Sequence, residues 1–328
     1  MLVSVARLSR RAALAAIILG AGLAGAAQAQ NWPDKPVRIV VGFSPGASTD
    51  AFTRALASQL QAKFNQPFVV ENRTGAAGNI GVESVVRAPK DGYTLLIGTV
   101  GSLAANQHLY QLPYSIQNDL APVSKVFAVD HILCTNPKFP PQNMKELVEY
   151  AKANPGKVSY GSSGIGSAVH LMGVLLEMRT GIKMLHVPYR GSAPAINDVV
   201  AGHINLIIDG IPSSIPHVEG GRMKALALTA GRRNKRVPTV PTMIEAGISN
   251  YDTYAWGTMM APAGTPEAIR SKLSAAITEI YKKPEMLKTF AAQGADAVSS
   301  TPAETAAFVK SEGELWGAVV KAGNVKIS

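Results

Sequence analysis

The sequence predicts an α/β protein of two lobes, and three observations carry that expectation. Apolar strand-like runs alternate with helical patterns for most of the length. The alternation stops near residue 130 and starts again. At several strand ends the chain passes through a small, polar, glycine-containing loop before the next helix begins. Alternation of this kind marks a sheet with parallel strands covered by helices.

In the first run, "PVRIVVGF" reads as a buried strand. Phe52, Ala55, Leu56, Leu60 and Phe64 then recur at spacings of three and four, the period of one helix face. "PFVVEN" is the second strand, "IGVESVVRA" a helix stopped by Pro89, and "YTLLIGT" a third strand entered through an Asp91-Gly92 turn. The second run begins after "APVSKVFAVDHILCTN". "NMKELVEYAKANPG" is a helix ended by Asn154-Pro155-Gly156, "KVSYG" a strand, and "SAVHLMGVLLEMRTG" a helix closing on Gly181. "KMLHVPY", "APAINDVVAG", "HINLIID", "IPHVEGG" and "MKALALTA" continue the alternation. "YDTYAWGTMMAPAGTP" reads as a strand leading back to the first lobe, and long helices over 266–281 and 302–320 close the chain. The expected organisation is a signal peptide at 1–29, one lobe at 30–129, a second at 130–254, and a return to the first at 255–328, each lobe built on a mostly parallel sheet.

The N-terminus argues for export. Arg7, Arg10 and Arg11 precede the apolar run "AALAAIILGAGLAGA", and Ala27-Gln28-Ala29 is a small-x-small cleavage signal, so cleavage is expected after Ala29. The Arg10-Arg11 pair leaves general secretion and twin-arginine export both open. Removing residues 1–29 lowers the net charge from +10 to +7. That balance suits an anionic ligand weakly, and export argues against a nucleic-acid partner. The single cysteine, Cys134, gives no disulfide framework, so stability must come from a core. Cys134 itself reads as a small buried thiol.

Enzyme signatures are missing at each place they could stand. Gly156-Lys157 is followed by Val158, so there is no Walker A loop. "YGSSGIGS" places Ile165 where a nucleophile elbow needs glycine. The six histidines never fall three or four residues apart, so no helical metal pair forms, and neither a metal nor a cofactor is expected. An exported hydrolase would have to pair Ser163 or Ser167 with His170.

What recurs is a loop fit for an anion. "FSPGASTD" (43–50), "YGSSGIGS" (160–167) and "YRGSAP" (189–194) each follow a strand and open a helix, and "RTGAAGNIG" (73–81) is a looser fourth case. Such loops offer backbone N–H groups where the helix dipole favours negative charge, and hydroxyls add donors. Loops from both lobes point to a cleft between them. The candidates are Ser44, Gly46, Ala47, Ser48 and Thr49 from the first loop and Ser162, Ser163, Gly164 and Ser167 from the second. Arg190, Asp209, Asn79 and Thr99 join them. Ser48 or Thr49 could equally cap a helix, Asp209 could cap the one at Ile211, and Arg190 could sit in a salt bridge. Asp50 reads as a first-turn acid, His170 as a core residue, and "GRRNKR" (231–236) as a solvated loop, with docking to a membrane partner as its alternative role.

Taken together, "WPDKPVRIVVGFSPGASTD", "VVENRTGAAGNIG", "PKDGYTLLIGT", "YGSSGIGSAVHL", "HVPYRGSAPAINDVVAGHINLIID" and "WGTMMAPAGTP" resemble the Bug family of periplasmic solute-binding receptors. These are the TctC-like receptors of tripartite tricarboxylate transporters, and the match runs in order from Trp32 to the C-terminal helices. The resemblance implies a two-lobed Venus-flytrap fold and no catalysis. It also implies a small carboxylate ligand held by amides, hydroxyls and water, with the permease subunits of the transporter as partners and a monomer as the working form. The same fold would also serve a receptor that presents its ligand to a signalling partner. Two positions depart from the family pattern. Ala47 stands where a second glycine is usual, which narrows the backbone there without removing an amide. Asn205 stands where an Asp is frequent, while Asp209 remains.

Overall fold

The computed structural model describes residues 32–327; the signal peptide expected at 1–29 lies outside the described residues. The chain begins with β1 (Val37–Val41), α1 (Ser48–Phe64), β2 (Phe68–Asn72), α2 (Asn79–Val86) and β3 (Thr94–Thr99). A π-helical turn, Val100–Ala105, runs into the short helices α3 (Asn106–Leu109) and α4 (Ile116–Asp119) and then β4 (Leu120–Val129). The second half holds β5 (His131–Thr135), α5 (Met144–Ala153), β6 (Val158–Ser162), α6 (Ala168–Thr180), β7 (Met184–Pro188), α7 (Ser192–Ala201), β8 (Leu206–Gly210), α8 (Ile211–Glu219) and β9 (Lys224–Leu228). The remainder is β10 (Ala255–Pro262), α9 (Glu267–Ile280), α10 (Pro284–Ala292), β11 (Asp296–Ala297) and α11 (Pro302–Ala322).

Two sheets result. The first has the order β11-β4-β10-β3-β1-β2 and the second β7-β6-β8-β5-β9. The apolar runs become strands buried on both faces, as in "VRIVV", where only Arg38 is not fully covered. The sheets are mixed rather than mostly parallel. β1 pairs parallel with β2 and β3, and β6 with β7 and β8. The strands that arrive from the opposite half enter antiparallel: β10 between β3 and β4, and β5 between β8 and β9. Both crossing strands run against the strands they join, and helix spacing in the sequence carries no sign of this.

Two features differ from expectation. Helix α10 lies between the two anticipated C-terminal helices, with Pro284 in its first turn, where the missing N–H costs nothing. Its Phe290 ring stacks 5.1 Å from Phe52, which fixes α1 against the first sheet. The basic run at 231–236 is also more than a solvated loop. Arg232 bonds Asp130 at 3.0 Å and Asp296 at 2.7 Å, Asn234 donates to Asp130, and Arg233 pairs with Glu245. The loop thereby ties the second half to the segment where the chain crosses between sheets. Helix α11 packs on β4 and the π-helical turn of the first half and on α6 of the second. One continuous core cluster runs through it, with Val309, Trp316 and Val319 joining Leu103 to Leu171 and Leu175.

Candidate functional site

The first loop is built around a buried carboxylate. Asp50, in the first turn of α1, turns back to accept the Gly46 amide at 3.0 Å, Arg54 Nε at 2.9 Å and Asn72 Nδ2 at 2.8 Å. Asn72 also donates to the Phe43 carbonyl at 2.9 Å, so both ends of the loop are pinned. Gly46 sits at φ +82°, a left-handed conformation that only glycine takes without strain. Burial pushes the Asp50 carboxyl up, but the bonds from Arg54, Gly46 and Asn72 outweigh it and hold it below the usual carboxylate range.

The residue that opens α1 is Ala47, which has no side chain to cap with. Ser48 and Thr49 lie inside the helix, so neither caps it, against one of the two readings open from the sequence. The first three amides, of Ser48, Thr49 and Asp50, have no partner among the described residues. Helices α4, α5, α6 and α11, by contrast, are capped by Ser115, Asn143, Ser167 and Thr301.

The second loop is held by its own side chains, and the Ala168 and Val169 amides at the start of α6 have no partner among the described residues. Ser162 is fully buried, its hydroxyl 2.6 Å from His186 Nε2 and accepting the Gly164 amide. Ser167 caps α6 through the His170 amide and donates to the Gly164 carbonyl at 2.7 Å. His170 Nδ1 accepts the Gly166 amide at 3.0 Å, so the ring props the loop and pairs with neither Ser163 nor Ser167. The His170 and His186 rings stack 3.8 Å apart under the loop. Burial pushes both imidazoles down to about 4, and the neighbouring His186 adds to the effect at His170. Both rings are therefore neutral near pH 7.

The remaining candidates separate clearly. Ser163 and Arg190 are exposed, and Arg190 makes no ion pair among the described residues. Asp209 is buried and accepts the hydroxyls of Ser192, at 2.6 Å, and Ser213. It does not cap α8, whose N-cap is Gly210; it ties the starts of α7 and α8 together. Asn79 is buried and accepts Asn106 Nδ2 at 2.7 Å, so it positions Asn106.

Between the halves lies a cleft of about 380 Å³. The first half contributes Phe43, Thr49, Ala77, Thr99 and Asn106, and the second Ile165, Gly166, Ser167 and Ala168; Phe127 on β4 and Trp256 on β10 also line it. Of the residues anticipated from sequence, the lining includes Thr49, Thr99 and Ser167. Ser44, Gly46, Ala47 and Ser48 belong to the same loop but not to the lining, as do Ser162, Ser163 and Gly164 in the second. Sequence reasoning missed Asn106, Tyr110, Phe127 and Trp256. The signal available for Asn106 and Tyr110 is "GTVGSLAANQHLY", a small-residue segment after a strand, like the other candidate loops. Trp256 is aimed from below: its indole N–H donates to Glu312 at 2.6 Å, and Trp316 shares that carboxylate at 3.0 Å. Burial holds the Glu312 carboxyl above its usual range, although both indole bonds oppose this. A second cavity, of about 730 Å³, is charged, with Lys125, Asp130, Arg232, Lys235, Arg236 and Asp296 in its wall.

Among the described residues no three His, Cys, Asp or Glu side chains gather as a metal site, and no helix is long and apolar enough to cross a membrane.

Known proteins share this arrangement. A family model described as the tripartite tricarboxylate transporter family receptor matches residues 52–325. Protein BugT of Bordetella pertussis is 37% identical over 318 residues, covering 96% of this chain and 98% of its own. The R. palustris protein Rpa4515, solved with adipate, is 34% identical with a TM-score of 0.75, over 90% of this chain and 99% of its own. MatC from Rhodopseudomonas palustris, solved with bound malate, is 29% identical with a TM-score of 0.71, over 88% of this chain and 100% of its own. With a family match over most of its length and a two-sheet fold around a cleft, the chain belongs to the tripartite tricarboxylate transporter family of receptors.

Proposed function

We propose that the protein is a periplasmic solute receptor that closes two lobes on a small organic carboxylate and delivers it to the membrane subunits of a tripartite tricarboxylate-type transporter. The observation that carries this reading is the uncapped start of α1. Three amides without partners sit at the positive end of a seventeen-residue helix, and Thr49 of that turn lines the cleft. A carboxylate placed there satisfies donors that the protein leaves open. Closure removes water and strengthens each amide–carboxylate bond. The adipate and malate held by two relatives support the ligand class. The charged n-region, apolar run and Ala27-Gln28-Ala29 signal support export with cleavage after Ala29. Binding without turnover fits a second loop in which Ser162, Ser167, His170 and His186 are engaged in holding the loop.

The test is thermal unfolding with a panel of mono-, di- and tricarboxylates, checked by calorimetry. A ligand at a hundred times its Kd stabilises the native state by about 2.7 kcal/mol, and Ala47→Trp, which covers the start of α1, removes that gain. If no carboxylate shifts the melting temperature or gives a binding heat, the reading fails.

A further inference from the structure

We infer that the second cavity is a docking groove for an acidic protein segment that carries one large apolar side chain. The groove, of about 730 Å³, takes one wall from each half. The basic run at 231–236 forms one side, and α10 with β11 forms the other. The walls meet where Gly294 lies against Pro212 of α8, and Asp130 and Tyr254, beside the two crossings between the sheets, line it as well. Strand β4 gives Phe127 to the cleft and Lys125 and Ala128 to the groove, so the two cavities share a strand but no lining residue.

The charge of the wall selects the partner. Five cations line it against two carboxylates, Asp130 and Asp296, and Arg232 bonds both of these. Arg233 is spent on Glu245. Lys125, Lys235 and Arg236 make no ion pair among the described residues. The side chains of Arg232, Arg233 and Asn234 pin the loop, which presents exposed Lys235 and Arg236 on a fixed backbone. Lys125 is half-buried with its ammonium 3.9 Å over the Phe308 ring, and burial pushes it below the usual lysine range. A cation that has lost water without gaining a carboxylate is stabilised by an incoming anion. On the other wall Leu287 of α10 is 46% exposed beside Ala291. A small anion would reach the cations and leave this leucine in water. An acidic segment with one apolar residue satisfies both, and the unpaired cations steer its approach.

Docking here needs no ligand in the cleft, so the test is made without one. The probe is a dye-labelled, capped pentapeptide, two glutamates on either side of a leucine, added to the protein at low salt and followed by fluorescence anisotropy. It should bind with a Kd below about 1 mM, and salt should weaken it. Reversing both free cations, Lys235→Glu with Arg236→Glu, should weaken it at least about tenfold with the melting temperature unchanged, since neither side chain holds the loop. Leu287→Ser should weaken it about fivefold, and a peptide with serine in place of leucine should lose the same factor. Binding weaker than about 1 mM, or binding that the charge reversal leaves unchanged, overturns the inference. Equal binding by the serine peptide overturns it too, because the groove would then accept any anion. No peptide binding, with co-sedimentation on phosphatidylglycerol vesicles that the reversal abolishes, gives the face to a lipid surface and overturns it equally.

Discussion

The loops after β1 and β6 look alike in sequence, each small, glycine-containing and followed by a helix, yet they are held in different ways. In the second, Ser162 and Ser167 take up the Gly164 amide and carbonyl, His170 takes the Gly166 amide and His186 holds Ser162, which leaves the Ala168 and Val169 amides without a partner among the described residues. In the first, one buried carboxylate holds the loop from behind and the helix amides in front stay open. The difference teaches that two similar strand–loop–helix motifs leave different numbers of helix amides open, three at α1 and two at α6. Ala47 opens α1 without capping it, while Ser167 closes α6.

The largest effect should come from breaking the first loop. Asp50→Ala strips the Gly46 amide, Arg54 and Asn72 of their common acceptor. It should cost about 2–3 kcal/mol of stability in denaturant unfolding and abolish carboxylate binding. A variant of near-native stability would show that the loop holds itself without Asp50.

A smaller loss is expected under the second loop. His186→Phe keeps the ring stack but removes the nitrogen facing Ser162, at about 1–2 kcal/mol. It should also change the pH profile. With folded-state values near 4 against an ordinary 6.5, both histidines are protonated in the unfolded chain before the folded one. Their contribution to stability is therefore complete above pH 6.5 and is lost as pH falls through 6.5 toward 4. Melting temperatures across that window should fall less steeply for His186→Phe than for the wild type; parallel curves would refute the assignment.

The mildest change is Ser167→Ala, which removes a helix cap worth about 1 kcal/mol. Its hydroxyl is already donated to the Gly164 carbonyl, so ligand affinity should hold constant in calorimetry. A marked loss of affinity would make the second loop a direct ligand contact and erase the contrast between the two loops.

The fold was readable where burial writes itself locally. "VRIVV" and "TLLIGT" are continuous apolar runs, and the face of α1 recurs at helical spacing. What stayed hidden depends on pairing over distance. The antiparallel entry of β10 and β5 is a pairing with strands far away in sequence, which local pattern does not encode. Ser162 meets His186 across two parallel strands, 24 residues away in sequence. Asp209 looked available because its strand-end position was visible, whereas the Ser192 and Ser213 hydroxyls that occupy it were not. The cleft itself was half legible. Its polar members announce themselves by type, as Thr49 and Thr99 did. Its apolar members, Phe127 and Trp256, read as ordinary core until the fold opens a gap beside them.

Helix α11 belongs to both halves at once: Trp316 and Val319 share a core with the π-helical turn on one side and α6 on the other, and Gly323 packs against Val174. A molecule with such a shared spine does not behave as two independent bodies on a string. Loosening one half exposes part of the other half's interior, so the two melt together. Ligand-driven motion has to keep that spine packed, which favours a shallow rocking about α11 over a wide swing.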